Sequence, residues 1–536
     1  MAKLSVAFIA ATALTTISLG QPALGQSAGE KLGDVHFAIS CIEVQPEFDR
    51  AVALLHNFFF PETVKAFRAV IAKDPSCAMA YWGLAMSQRP NPLVPPFAPA
   101  LLKAGWEAVQ QGTAAKTQTP REAEYLAAME VFYKDYDKID QGTRTRLYEQ
   151  AMQRLHEHYP DDAEAAIFYA LALNEAVDLN DKNFAKQLKA AAILNALAQK
   201  QPNHPGIAHY LIHSYDFAPL AALCLPTAHL YDKIAASAPH ALHMPSHIYS
   251  MLGMWDDSVR SNLAAEAAAN DYAAKNYPEA TDPSIPHLLD FRAYAYLQMA
   301  KDTEAQQIVE TLSKLKKFAT VRVSVDTGLA AIPARYALDR GRWAEAAQLS
   351  VRDSDYPAAQ AITYFARALG AARSGQPAAA RAEMAHLDEI EAKLAAAKDE
   401  YWAGQTRIQK QTVAAWLAFA EGRRDEAIVA MRQAADLDDA SEKNVAMENK
   451  LVSVRALLGE LYLAAGMNKE ALPEFEASLK STPNRFRSIA GAAAAAGAIG
   501  SVEVARRYYR ALIALAVDGD GQRAELAEAK TYLSQK

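Results

Sequence analysis

Apolar positions recur along most of this chain at the three-to-four-residue spacing of one helix face, and strand-like alternation is rare. The pattern is clearest in LLGELYLAAGMNKEALPEFEASLKSTPN, residues 457–484. There Leu458, Gly459, Tyr462, Ala471, Phe475 and Pro483 fall at the spacings of a helical hairpin that repeats about every 34 residues, the tetratricopeptide repeat (TPR). Small residues let its two helices touch, and large ones fill the space between them. The next unit keeps the frame with Ala493, Gly500, Ala505 and Tyr509. Turns of the same kind recur around Gly253, Gly341, Gly375 and Gly422, and near the N-terminus Phe67, Pro75, Tyr81 and Leu84 stand in the same register. The frame accommodates about nine or ten hairpins. It predicts an all-α fold, an α-solenoid of stacked TPR-like hairpins wound as a right-handed superhelix.

Two proline-rich stretches interrupt the helical pattern, RPNPLVPPFAP (residues 89–99) and NYPEATDPSIP (residues 276–286). They divide the expectation into an N-terminal TPR-like region, 26–285, and a C-terminal array, 286–536. One short stretch, TVRVSV (residues 320–325), reads as strand. The first residues, MAKLSVAFIAATALTTISLGQPALGQ, combine a lysine, an apolar run from Leu4 to Leu19 and a small-residue site at Ala23-Leu24-Gly25. That is the pattern of a secretory signal peptide, 1–25, removed near Gly25. The run is short for a membrane span and no later segment is long enough, so a periplasmic or secreted protein without an integral span is expected.

Composition adds exclusions. Of 536 residues, 51 % are hydrophobic, the formal charge is -7, and lysine and arginine form no block, so nothing invites a nucleic acid. No GxSxG, Walker loop, GxGxxG or CxxC stands in a suitable context, which leaves no nucleotide cofactor to expect, and HExxH is absent. Export changes the reading of three cysteines: Cys41 and Cys77, on consecutive helical segments, are the candidate disulfide, against the alternative of three buried thiols that include Cys224.

The chemical signal is histidine. Seven of thirteen lie between positions 204 and 247. In NHPGIAHYLIHSYD, Pro205 suits a first helical position, so His209 and His213 share a face four residues apart. In HALHMPSHIY, His243 and His247 form a second such pair, with Ser246 at a close-packing position; Pro245 belongs in a first turn, so His243 falls at or before that helix start. Stacked hairpins bring the pairs together, and imidazole is the common ligand of zinc and copper. The candidate ligands are His209, His213, His243 and His247, with His204 and His240 less securely placed, and Asp216, Asp178 and Glu175 are carboxylates nearby.

The chain resembles a widespread bacterial group of exported TPR proteins. The resemblance rests on HFAISCIEVQPEFDRAVALLHNFFF, DPSCAMAYWGLAMS, HPGIAHYLIHSYD, HALHMPSHIYSMLGMW and TPNRFRSIAGAAAAAG, and spans nearly the whole mature chain. It implies that His204, His209, His213, His240, His243, His247, His56, Cys41 and Cys77 belong to the group's motifs, whereas His229 and Cys224 do not. It implies a fold and no particular activity. Three functions are therefore expected to compete: a scaffold binding a protein or peptide in its groove with a zinc or copper site joining repeats; a zinc or copper hydrolase or oxidase with its pocket under residues 89–99; and a metal-free interaction solenoid whose histidines hydrogen-bond.

Overall fold

The computed structural model describes residues 29–115, 119–315, 317–445 and 447–535, and the expected signal peptide lies outside them. Helices succeed one another from Gln45–His56 to Ala524–Ser534, and no strand occurs among the described residues, only an isolated bridge between Thr281 and Phe318. The fold is an all-α solenoid of TPR-like hairpins, in which each helix packs chiefly on its sequence neighbours.

The small-against-large rule explains why the hairpins close. The buried Phe475 ring lies so near Gly459 and Gly491 that a Cβ would come within 2.8 Å and 2.3 Å of it. Phe67 does the same to Gly83 at the other end of the chain, with 2.1 Å left for a Cβ. The hairpin turns at Gly253, Gly341, Gly375, Gly422, Gly466 and Gly500 all hold positive φ, between 65° and 80°. That left-handed conformation ends a helix cheaply only at glycine.

Both proline-rich stretches break the helical run, as loops over 88–98 and 277–284. After the second, the helix Ile285–Gln298 packs back on Trp255–Asn276, where Ile285, Leu288 and Leu289 bury with Ala265 and Ala269. The expected strand at 320–325 does not form; its second half opens the helix Val323–Asp339, where Val323 and Val325 are buried. Alternating β-branched residues express a weak local preference, and packing of a helix against its solenoid neighbours overrides it. Cys41 and Cys77 form a disulfide with Cα atoms 5.5 Å apart, and Cys224 is a buried thiol whose pKa burial pushes up.

A non-helical strap, residues 441–445 and 447–453, joins distant parts of the chain. The Glu442 N–H donates to the Leu179 carbonyl, the Glu442 carbonyl accepts from the Tyr401 hydroxyl, and Arg335 donates to the Asn449 and Lys450 carbonyls. Lys443, buried, reaches Asp216 at 2.7 Å.

Candidate metal centre

Pro205 sets the start of the helix Pro205–Tyr215, and a spacing of four residues, about one turn, then brings His209 and His213 onto one buried face with their Nε2 atoms 3.0 Å apart. His240, on the short helix Pro239–His243, adds its Nε2 at 3.1 Å from that of His209. These three form one group. His243 ends the same short helix and His247 lies in Pro245–Met251, with only Met244, itself helical, between the two segments. Pro245 therefore does not turn the pair apart, and their Nε2 atoms stand 3.0 Å from each other. His287, near the start of Ile285–Gln298, completes a second group, whose ligand atoms all lie within 4.8 Å of one another.

The sequence expectation was one meeting point for two pairs. The structure arranges two adjoining groups of three, His209-His213-His240 and His243-His247-His287. They abut along two edges, with ring centroids 6.2 Å apart for His213 and His247 and 5.9 Å for His240 and His243.

The outward nitrogens decide what the inward ones can do. His209 Nδ1 lies 2.6 Å from the His56 carbonyl, an acceptor, so Nδ1 carries the proton. His243 Nδ1 lies 2.7 Å from Asn262 Oδ1, and the amide orientation follows from its Nδ2, which donates to the Ser258 carbonyl at 2.8 Å. His247 Nδ1 donates to Asp216 Oδ2 at 2.8 Å, and Lys443 donates to that same oxygen. With Nδ1 protonated in the neutral ring, Nε2 is a bare lone pair. His243 and His247 thus point two lone pairs at each other across 3.0 Å, a contact that neither ring can satisfy by donating. Protonating the rings is opposed by their surroundings. Burial pushes His209 down to about 3 and His243 to about 4, and holds His213, His240, His247 and His287 well below the ordinary imidazole range.

A third buried group, His56, Glu164 and His204, behaves in the opposite way. Asp162 caps the helix Ala163–Glu175 and sets Glu164 in its first turn. His56 Nε2 and His204 Nε2 each meet one Glu164 oxygen at 2.9 Å, and His56 Nδ1 meets the Tyr210 hydroxyl at 2.9 Å. Burial alone would raise the carboxyl, yet the two imidazoles hold it down at about 2. Here nitrogens face a carboxylate and need no cation. His204, one of the less securely placed candidates, belongs to this group, while His240 joins the first triad.

Of the other carboxylates named from sequence, only Asp216 touches a triad histidine. Glu175 forms a buried ion pair with Arg89 at 2.8 Å, and Asp178 accepts from the Asn180 backbone. His229 is exposed. Sequence reasoning missed His287, which follows a proline break about 40 residues beyond its partners, and Asn262, whose role shows only once its helix is placed beside His243.

Both triads open on one pocket of about 50 Å³, lined by His213, His240, His243, His247 and His287. Arg322, Ser284 and Ser324 also line it, as do Val94 of the 89–99 loop, Leu288 and Val445 of the strap. Among the described residues no helix is long and apolar enough to cross a membrane.

No family model matches this sequence, and neither does any curated protein. Among solved structures it is similar to the crystal structure of the APC/C hetero-tetramer Cut9-Hcn1, at 11 % identity over 90 % of this chain and 95 % of that one, with a TM-score of 0.29. A likeness that loose carries no argument.

Proposed function

We propose that the chain is an exported TPR-like protein whose two histidine triads each hold a transition-metal ion, zinc or copper, in an open site of the catalytic kind. One observation carries this reading: Nε2 lone pairs face one another at 3.0 Å while Nδ1–H groups of the same rings are committed outward to a carbonyl, an amide oxygen and a carboxylate. Outward donation of that kind fixes the tautomer of metal-bound histidine and orients the ring. The spacing also fits. An ion with nitrogens at about 2.05 Å in tetrahedral directions separates them by about 3.3 Å, so gaps of 3.0 and 3.1 Å need only a slight opening.

Structural zinc sites close with four protein ligands, whereas catalytic ones stop at three and leave a position for water or substrate. Three histidines per group beside a shared pocket match the second type. Zinc there supplies a nucleophilic water for hydrolysis, and copper supplies redox chemistry with oxygen. The chain's own residues orient and enclose: Asn262, Asp216 and the His56 carbonyl hold the rings, and the strap with the 89–99 loop walls off solvent. Export is supported by the pattern of residues 1–25 and by the disulfide between Cys41 and Cys77, a bond at home in oxidising compartments. A protein partner, a common use of solenoid surfaces, docks in this reading away from the pocket, whose lining already includes Val445 of the strap.

Elemental analysis of untagged protein tests the reading. Two equivalents of zinc or copper are expected, with one lost in His209→Ala and the other in His247→Ala. Protein that holds neither metal as purified, and takes up neither when supplied, overturns it and leaves a hydrogen-bonded repeat interface.

A further inference from the structure

The pocket that the histidines line also carries a guanidinium with no partner for its side chain. Arg322 stands half-buried just before the helix Val323–Asp339; its side chain makes no hydrogen bond or ion pair among the described residues, and its Nε is buried without a partner. The nearest negative group, Asp282, acts on it only through space, and its carboxylate is occupied by the Tyr277 hydroxyl and by the Ser284 backbone and hydroxyl. A largely desolvated guanidinium without a direct anion is costly, because its buried Nε–H goes unmet and no carboxylate contacts the charge.

The metal reading deepens the imbalance. Six imidazoles are neutral ligands, so divalent ions among them keep their full charge. The one carboxylate that reaches a triad, Asp216, is already matched by Lys443. A metal-loaded pocket that Arg322 also lines is therefore strongly positive, with Val94, Leu288 and Val445 as apolar lining.

We propose that this pocket binds a small organic carboxylate, held by Arg322 as a two-pronged clamp, with the reactive part of the molecule directed at the histidine triads. The guanidinium fork matches a planar carboxylate through two parallel hydrogen bonds. The volume favours the same class. One water needs roughly 10–15 Å³ of such space, so about 50 Å³ takes a carboxylate head and a few more atoms. Selectivity would follow from charge at one end, metal at the other and apolar contact between.

This rests on the metal reading for the reactive end but not for the clamp, and the experiment separates them. Acetate, pyruvate and benzoate, their neutral amides, and inorganic phosphate are titrated calorimetrically into metal-loaded and metal-stripped full-length protein, and into Arg322→Gln and Arg322→Lys variants. Carboxylates are expected to bind about tenfold or more tightly than the matching amides. Arg322→Gln should erase that preference, and Arg322→Lys, which keeps charge but loses the fork, should retain part of it. Metal content should be unchanged in both variants, since Arg322 belongs to neither triad. Arginine-dependent carboxylate binding in stripped protein supports the clamp even where the metal reading fails. Equal binding of acid and amide in both forms, binding indifferent to Arg322, or tighter binding of phosphate than of any carboxylate overturns it.

Discussion

Replacing Asn262 by leucine probes the lone-pair arrangement without touching a ligand. Asn262 is fully buried, and its Oδ1 accepts the His243 Nδ1–H at 2.7 Å. Leucine has the same branched outline and number of heavy atoms, is somewhat bulkier, and has no acceptor. The lost Nδ2 bond matters little, because the Ser258 carbonyl sits within its own helix. The His243 Nδ1–H is then left with Ser246 Oγ at 3.3 Å, a poor substitute. Removing such an outer partner typically weakens metal binding about 10- to 100-fold, or about 1.4–2.7 kcal/mol. The loss should fall on one ion, because His209 is oriented independently by the His56 carbonyl. Competition with a zinc-binding dye would show two tight ions in the parent and one tight and one weakened ion in Asn262→Leu. Urea unfolding of stripped protein should show a cost of about 1–3 kcal/mol for the orphaned N–H. Two unchanged affinities would refute His243 as a ligand, and equal weakening of both ions would refute the division into two sites.

Other predictions follow from the same contacts. Lys443→Met leaves the buried Asp216 carboxylate without its cation and should cost about 3–5 kcal/mol in urea unfolding, with most of it recovered in Asp216→Asn/Lys443→Met; a cost below about 1 kcal/mol would show the pair is dispensable. Metal-stripped protein should lose stability as pH falls below about 6.5. His243 is held near 4 when folded and titrates near 6.5 when unfolded, so the unfolded chain takes the extra proton and this one ring costs about 3 kcal/mol by pH 4, with no effect above pH 7. Urea midpoints at pH 5 and pH 8 measure it, and equal values would contradict the buried neutral cluster. The Cys41–Cys77 disulfide closes a loop over a separation of 36 residues, which corresponds to about 4 kcal/mol, so reductant should lower the urea midpoint of the parent and leave Cys41→Ser/Cys77→Ser unmoved.

The solenoid was legible because its packing rule is local. Phe475 beside Gly459 and Gly491, and Phe67 beside Gly83, lie within one or two helices of each other, and spacing alone reports such contacts. What escaped was whatever depends on distant segments meeting. The strap at 441–453 has no helical period, and nothing in SEKNVAMENK announces that its first lysine, Lys443, will reach an aspartate more than 200 residues earlier. TVRVSV misled for the converse reason, since its local preference for strand is real but smaller than the burial gained by Val323 and Val325 in a helix.

At the histidine cluster, sequence supplied residues but not their grouping. Spacing of four placed His209 with His213 and His243 with His247, and helices deliver such pairs whatever lies around them. The third member of each triad comes from another helix, so His240 was ambiguous and His287 invisible. Spacing is equally silent on polarity. His204 stands as near to the cluster in sequence as His209 does, yet its Nε2 faces Glu164 while that of His209 faces other imidazoles. A nitrogen aimed at a carboxylate is satisfied by its own proton. On the metal reading proposed above, bare nitrogens such as those of His243 and His247, in a pocket that opposes protonation, take a cation brought from outside. The difference lies in one hydrogen bond on the far side of each ring, and that bond is set by the tertiary fold.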